Sequence, residues 1–251
     1  PELIANAKKL RIVARAGVGL DNVKLSADFC KERGITVINT PAASTRAVAE
    51  LTMAFIGALM RKVGFAHQRL QGGVWEKGKC TGVEPDEKVL GIIGMGRIGR
   101  EVARRAEAGY EMKIIYSDLL KSDDLPYEYY GKLDDMLPLA DVVTIHAGGA
   151  QPLLTAERIS KMKKGAYLIN TARGALVDET ALAEALKSGR LAGAALDVHV
   201  NEPKKDGEKF DSPLRGLDNV ILTPHIGAAT KEAQARIGQD LILQLKEKLG
   251  K

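Results

Sequence analysis

The sequence predicts an α/β fold in which a parallel sheet is covered by helices on both faces. Three observations predict it. Short apolar runs recur along most of the chain, at residues 89–94, 113–117, 142–146, 167–171, 194–198 and 220–222. Stretches with helical periodicity separate them, at residues 97–108, 133–139, 156–161 and 179–188. The runs are apolar on successive residues rather than on alternate ones, as strands buried from both sides require.

The remaining elements follow from the same patterns. Residues 12–16 and 36–39 read as strands, with two short helices in the same opening segment. Residues 45–70 form one long helical pattern, with Val48, Leu51, Phe55, Leu59 and Val63 recurring three or four apart, and Gly72-Gly73 ends it. Residues 231–249 are a closing helix. Residues 1–43 are too few to bury a core of their own. They are expected to form a partial lobe together with residues 226–251, and residues 44–225 the larger domain.

Composition narrows the function. The chain has 251 residues and is 45% hydrophobic, enough for a packed core. The formal net charge is +5, but the Lys and Arg residues are interleaved with Asp and Glu, and aromatics are only 4%. That argues against nucleic acid and suits anionic small molecules. No apolar run is long enough to span a bilayer, and no signal peptide opens the chain, so a cytoplasmic protein with no membrane partner is expected. Cys30 and Cys80 stand far apart, as in a reducing compartment without a disulfide framework. No His, Cys or carboxylate cluster has metal-ligand spacing, and His67 and His199 read as surface or packing histidines.

The chemistry begins at Gly94-Met95-Gly96-Arg97-Ile98-Gly99. This G-x-G-x-x-G follows a strand pattern and opens a helix pattern, with Asp118 at the end of the next strand. That is the dinucleotide fingerprint in its proper setting, and it makes the fold Rossmann-type and doubly wound. Gly94 allows the tight turn, Gly96 lets the backbone approach a pyrophosphate, and Gly99 lets helix and strand pack closely. The helix start offers free N–H groups to the phosphates, with Arg97 above them. Asp118 can accept from both ribose hydroxyls and would repel a 2′-phosphate. Leu119 and Leu120 follow it rather than an arginine, which favours NAD over NADP.

Ligands of such sheets lie beyond the carboxyl ends of the strands. Arg173, Glu202 and His225 all fall there, each shortly after a strand. Reduction of a 2-keto acid needs a hydride, a proton and a hold on the carboxylate. The hydride comes from a nicotinamide. An arginine fork suits carboxylate and carbonyl oxygens. A histidine can give and retake the proton, and a neighbouring carboxylate keeps it charged and oriented.

These residues resemble the D-isomer-specific 2-hydroxyacid dehydrogenase family. The resemblance is carried by the glycine turn, by residues 170–179 (Asn170-Thr171-Ala172-Arg173-Gly174-Ala175-Leu176-Val177-Asp178-Glu179), by Ala195-Leu196-Asp197-Val198 with Glu202-Pro203, and by Thr223-Pro224-His225-Ile226-Gly227-Ala228. It implies His225 as acid/base, Glu202 as its partner and Arg173 as substrate anchor. It also implies that Asp197 holds the nicotinamide carboxamide, with Thr171, Ala172, Gly227 and Ala228 lining the ring. Residues 14–22, Ala14 to Asn22, resemble the loop whose N–H groups receive the substrate carboxylate, which makes Val18 and Gly19 substrate contacts. The smaller lobe is then a partial flavodoxin-like substrate-binding domain lacking its opening strand–helix units.

Within the family, Thr230-Lys231-Glu232-Ala233-Gln234 and Gly73-Val74-Trp75-Glu76 look most like the phosphoglycerate dehydrogenases of serine biosynthesis. A homodimer built partly on the helix at 45–70 is implied. The stretch from His146 to Leu154 is shorter than the family's usual histidine–x–proline–leucine–threonine segment, and His146 itself reads as structural. The alternatives are a truncated or corepressor-like NAD-binding module with little turnover, and a dehydrogenase for glyoxylate or hydroxypyruvate.

Overall fold

The computed structural model describes residues 4, 6–20, 23 and 25–250. The chain forms two compact units, Pro1–Ala47 with Gly227–Lys251, and Val48–Ile226.

In the first unit β1 (Ile12–Arg15) and β2 (Thr36–Asn39) pair in parallel, Ile12 opposite Thr36 and Arg15 opposite Asn39. A parallel pair needs a crossover, which α1 (Ala27–Glu32) supplies. Ser26 caps that helix by accepting from Phe29 N–H at 3.1 Å. The closing helix Lys231–Leu249 begins at a Thr230 cap and ends at left-handed Gly250. Its Arg236 donates to the Ala43 carbonyl and its Gln244 to the Asn39 carbonyl, both at 2.9 Å. Two hydrogen bonds to main chain thus tie together the ends of a unit separated by most of the sequence.

The second unit is a seven-stranded parallel sheet. Its strands are β3 (Val89–Ile93), β4 (Lys113–Ser117), β5 (Glu128–Tyr129), β6 (Val142–Ile145), β7 (Tyr167–Asn170), β8 (Gly193–Leu196) and β9 (Val220–Leu222), in the order β5-β4-β3-β6-β7-β8-β9. Alternate residues serve opposite faces. Leu90, Ile92, Ile114, Tyr116, Val142 and Ile169 pack with Phe55, Ile56, Leu59, Val102 and Ala106. Ile93, Ile115, Val143, Ile145 and Leu168 pack with Met136, Ile159, Leu182 and Leu186 on the other side. The first set of helices is α2 (Thr45–Met60) and α4 (Arg97–Tyr110), and the second is α5 (Leu133–Met136), α6 (Ala156–Lys161) and α7 (Glu179–Lys187). Strand order reverses between β3 and β6, the place where a doubly wound sheet opens a crevice for ligands.

One expectation needs correction. The pattern at residues 45–70 is two helices, α2 and α3 (Val63–Gln71), broken at Arg61-Lys62. Lys62 adopts left-handed φ of 53°, and the Met60 carbonyl accepts from Val83 N–H at 2.8 Å instead of continuing the helix. The apolar spacing runs straight through the break, so periodicity alone does not reveal it. Among the described residues no helix is long and apolar enough to cross a membrane.

Candidate active site

The glycine turn lies between β3 and α4, at the strand-order reversal. Gly94 has φ of +92°, and a Cβ there would lie 2.6 Å from Ala147 N, so the turn is pressed against the end of β6. A Cβ at Gly99 would lie 2.2 Å from the Gly94 carbonyl oxygen, which leaves no room for one. Gly96 differs: a Cβ there would meet nothing within 4 Å. It precedes the first turn of α4, which no side chain caps. Open space before an uncapped helix start is a cradle that fits a pyrophosphate, with Arg97 and Ile98 as the first helical residues. Asp118 is tied to this turn. Its Oδ2 accepts from Met95 N–H and its Oδ1 from Leu119 N–H, both at 2.7 Å.

The segment after β7 is set by Asn170, which is fully buried. Its side chain donates to the Arg173 carbonyl at 2.8 Å and accepts from Ala172 N–H at 3.0 Å. This small clamp turns the chain so that Arg173 leaves the strand end half-buried. The Thr171 hydroxyl pairs with the buried Thr52 hydroxyl at 3.2 Å.

Asp197 and His225 leave β8 and β9. Asp197 is 1% exposed, and its Oδ1 accepts from Ile226 N–H at 2.8 Å and from the Thr223 hydroxyl. These contacts shape the turn that presents His225 in a left-handed conformation, φ +55°, rare for a non-glycine residue. His225 Nδ1 faces Glu202, at 2.9 Å from Oε2 and 3.1 Å from Oε1. Oε1 also accepts from His199 N–H at 3.1 Å.

The hydrogen bond with Glu202 raises the His225 pKa. Burial and the positive charge of Arg173 work against the rise, and Asp197 works with it. Burial pushes Glu202 up, but the bonds from His225 and His199 outweigh it and hold the carboxylate below its ordinary range. Arg173, Asp197, Glu202 and His225 therefore lie within electrostatic reach of one another, although they come from three different strand ends. The arrangement favours the charged form of an imidazole held beside a guanidinium and a buried carboxylate.

Residues 53–227 match the family described as D-isomer specific 2-hydroxyacid dehydrogenase, NAD binding domain. The chain belongs to the D-isomer specific 2-hydroxyacid dehydrogenases. A hydroxypyruvate reductase of Thermotoga maritima is 44% identical over 99% of this chain and 81% of its own length. A D-3-phosphoglycerate dehydrogenase of Methanocaldococcus jannaschii is 41% identical over 99% of this chain, which spans 47% of that relative. Among solved structures, a D-lactate dehydrogenase from Aquifex aeolicus, crystallised with NAD and lactic acid, superposes with a TM-score of 0.86 at 33% identity, over 99% of this chain and 79% of that one. The Rossmann-type sheet and the NAD-binding domain are therefore established.

The smaller unit of this 2-hydroxyacid dehydrogenase holds the other sequence candidates. Val18 and Gly19 follow Gly17, which exchanges hydrogen bonds with Thr40 at 3.0 Å through its N–H and its carbonyl. The Val18 carbonyl accepts from Asn39 at 2.7 Å. Asp21 and Asn22, at the end of the same loop, lie outside the described residues. Gly227 is buried, and the Ala228 carbonyl accepts from Gln234 at 3.0 Å. Sequence reasoning passed over Asn170, Thr223 and Glu179 as site-shaping residues. Their spacing carries no signal, because each acts on main chain or on a partner brought near only by the sheet. Asn170 acts three residues away, but on a turn that no periodicity marks.

Proposed function

We propose that this chain carries the reacting site for a small D-2-hydroxy acid, with Arg173, Glu202 and His225 as its catalytic residues. The observation that carries the reading is the His225–Glu202 contact at 2.9 Å, beside the buried Asp197. NADH supplies the hydride when it is bound. His225 gives a proton to the forming alkoxide during reduction and takes it back during oxidation. Glu202 keeps the imidazole charged and fixes which nitrogen faces outward. Arg173 presents its fork to the substrate carboxylate.

For the cofactor, Gly94, Gly96, Arg97, Ile98 and Gly99 are the proposed pyrophosphate contacts and Asp118 the ribose contact. Asp197, Thr171 and Ala172 are the proposed contacts of the nicotinamide. Val18 and Gly19 keep their proposed role with substrate, and Gly227 and Ala228 theirs with the nicotinamide.

For the substrate we propose 3-phospho-D-glycerate, oxidised to 3-phosphohydroxypyruvate as in serine biosynthesis. It rests on the segments at residues 73–76 and 230–234. A second reading, reduction of hydroxypyruvate or glyoxylate, is favoured by the name of the Thermotoga relative. A homodimer is proposed on the arm that follows α2, where the apolar side chains of Val63, Leu70, Val74 and Trp75 are all exposed. Free Cys30 and Cys80 suit a cytoplasmic setting.

The test is NADH oxidation by the purified chain against a panel of 2-keto acids including 3-phosphohydroxypyruvate, with NADH binding followed in parallel. Turnover fastest with the phosphorylated acid supports the first substrate reading. A preference for hydroxypyruvate or glyoxylate replaces it with the second. NADH binding without turnover of any of them removes the catalytic reading and leaves a binding module.

A further inference from the structure

Glu179 commits both of its carboxylate oxygens to a loop far from it in sequence. It opens α7 and is only 8% exposed. Its Oε1 accepts from Val200 N–H at 3.0 Å, and its Oε2 from the Ser212 hydroxyl at 2.8 Å. Val200 and Ser212 bracket the segment that carries Glu202. A single side chain therefore closes both ends of that loop.

Helix capping does not explain it. Asp178 already caps α7 by accepting from Ala181 N–H at 3.0 Å. A buried carboxylate is costly unless its oxygens are satisfied, and here loop donors satisfy them.

An independent contact presses the same peptide group. A Cβ on Gly174, next to Arg173, would lie 2.1 Å from the His199 carbonyl carbon and 2.5 Å from Val200 N. The turn after Arg173 thus lies directly against the His199–Val200 peptide, which Glu179 holds by its N–H. One residue back, His199 N–H donates to Glu202, while the His199 ring meets the Thr223 carbonyl at 3.0 Å and packs on Phe210. The direction of the Val200 N–H is therefore coupled through one residue to the donor that orients Glu202.

We propose that Glu179 is a positioning residue for the acid/base pair, setting the direction in which Glu202 meets His225 without touching substrate or cofactor. The proposal rests on the reading of His225 and Glu202 given above. Around His225 the charged groups are Glu202, Asp197 and Arg173, with His199 against Glu202. Substitution of Glu179 leaves all four in the sequence, so a change in the titration of His225 reports where Glu202 stands.

The experiment is an NMR titration of the four histidines in the full chain, with His225 assigned from His225→Asn. It is run on wild type, Glu202→Gln, Glu179→Ala, Glu179→Gln and Ser212→Ala, alongside melting and NADH affinity. Wild-type His225 is expected to titrate above 6.5, and Glu202→Gln to bring it down. Glu179→Ala should bring it part of the way down, with NADH affinity unchanged and kcat for reduction lower by about 10- to 100-fold. Glu179→Gln should restore most of the wild-type value, since its amide oxygen still accepts from Val200 N–H and its amide N–H can meet Ser212 Oγ. Ser212→Ala, which removes one end of the clamp, should give a smaller shift even if Glu179→Ala does not fold.

A lower melting temperature in Glu179→Ala or Ser212→Ala with His225 titrating as in wild type overturns the proposal and leaves a purely structural carboxylate. A His225 titration that Glu202→Gln itself does not move overturns the acid/base reading, and this proposal with it.

Discussion

The two working ends of the sheet edge are built by different physics. The glycine turn between β3 and α4 is fixed by sterics: main chain packs so closely that a Cβ at Gly99 would lie 2.2 Å from the Gly94 oxygen. The loop between β8 and β9 is fixed by polar contacts, from Glu179, His199, Asp197 and Thr223 to one another and to main chain. At Gly94 and Gly99 main chain leaves no room for a side chain, so the steric constraint there is all or none. A polar site can be weakened by degrees, and its proton affinity moves as its contacts move.

Substitutions can break or sharpen that contrast. The largest effect is expected from Gly99→Val, which inserts a branched side chain where not even a Cβ fits. NADH binding should be lost, with a stability cost of at least about 1–3 kcal/mol, readable by fluorescence titration and thermal melting. Retained NADH affinity would show that the turn is less rigid than its packing states. Next comes His225→Ala, expected to lower turnover by roughly 10²–10⁴-fold with NADH affinity unchanged. Wild-type turnover in that variant would remove the acid/base assignment.

Glu202→Gln should cost less, because the imidazole survives. On the proposed acid/base reading reduction requires protonated His225, so wild-type activity should persist above pH 6.5 and fall as pH rises through the raised value. In Glu202→Gln that alkaline limb should move down towards 6.5, which a pH profile of kcat/KM reads directly. The smallest effect is expected from Asp118→Ala, a several-fold loss of preference for NAD over NADP in paired binding assays. An unchanged preference would mean that Asp118, held by Met95 and Leu119, serves the turn alone.

Legibility in the sequence divides along the same line. The strands β3, β4, β6 and β7 and the glycine turn are visible because burial on both faces and a fixed glycine spacing are local patterns. His225 and Glu202 are visible as single residues after strands, but their contact is not, since it spans 23 positions. The clamp from Glu179 to Val200 and Ser212 is hidden for the same reason: beside Asp178 it reads as one more acid in the first turn of a helix. The break at Lys62 is hidden because left-handed backbone leaves no mark on apolar spacing. β5, two residues long at the sheet edge, is too short to show a period.

His146 adds a property of a different kind. It follows β6 against the glycine turn, its Nε2 meets Thr144 at 3.0 Å, and its Nδ1 is buried without a partner among the described residues. Burial depresses its pKa to about 3. The unfolded chain takes up a proton at this imidazole as pH falls below 6.5, whereas the folded chain refuses it until about 3. Folding is penalised progressively across that window, and stability climbs with pH through it. His225 has the opposite sign, its contribution being complete below 6.5 and lost as pH rises through its raised value. The protein therefore carries a latent acid lability at the seam where the glycine turn meets the end of β6, readable as a melting temperature that falls as pH is lowered below 6.5.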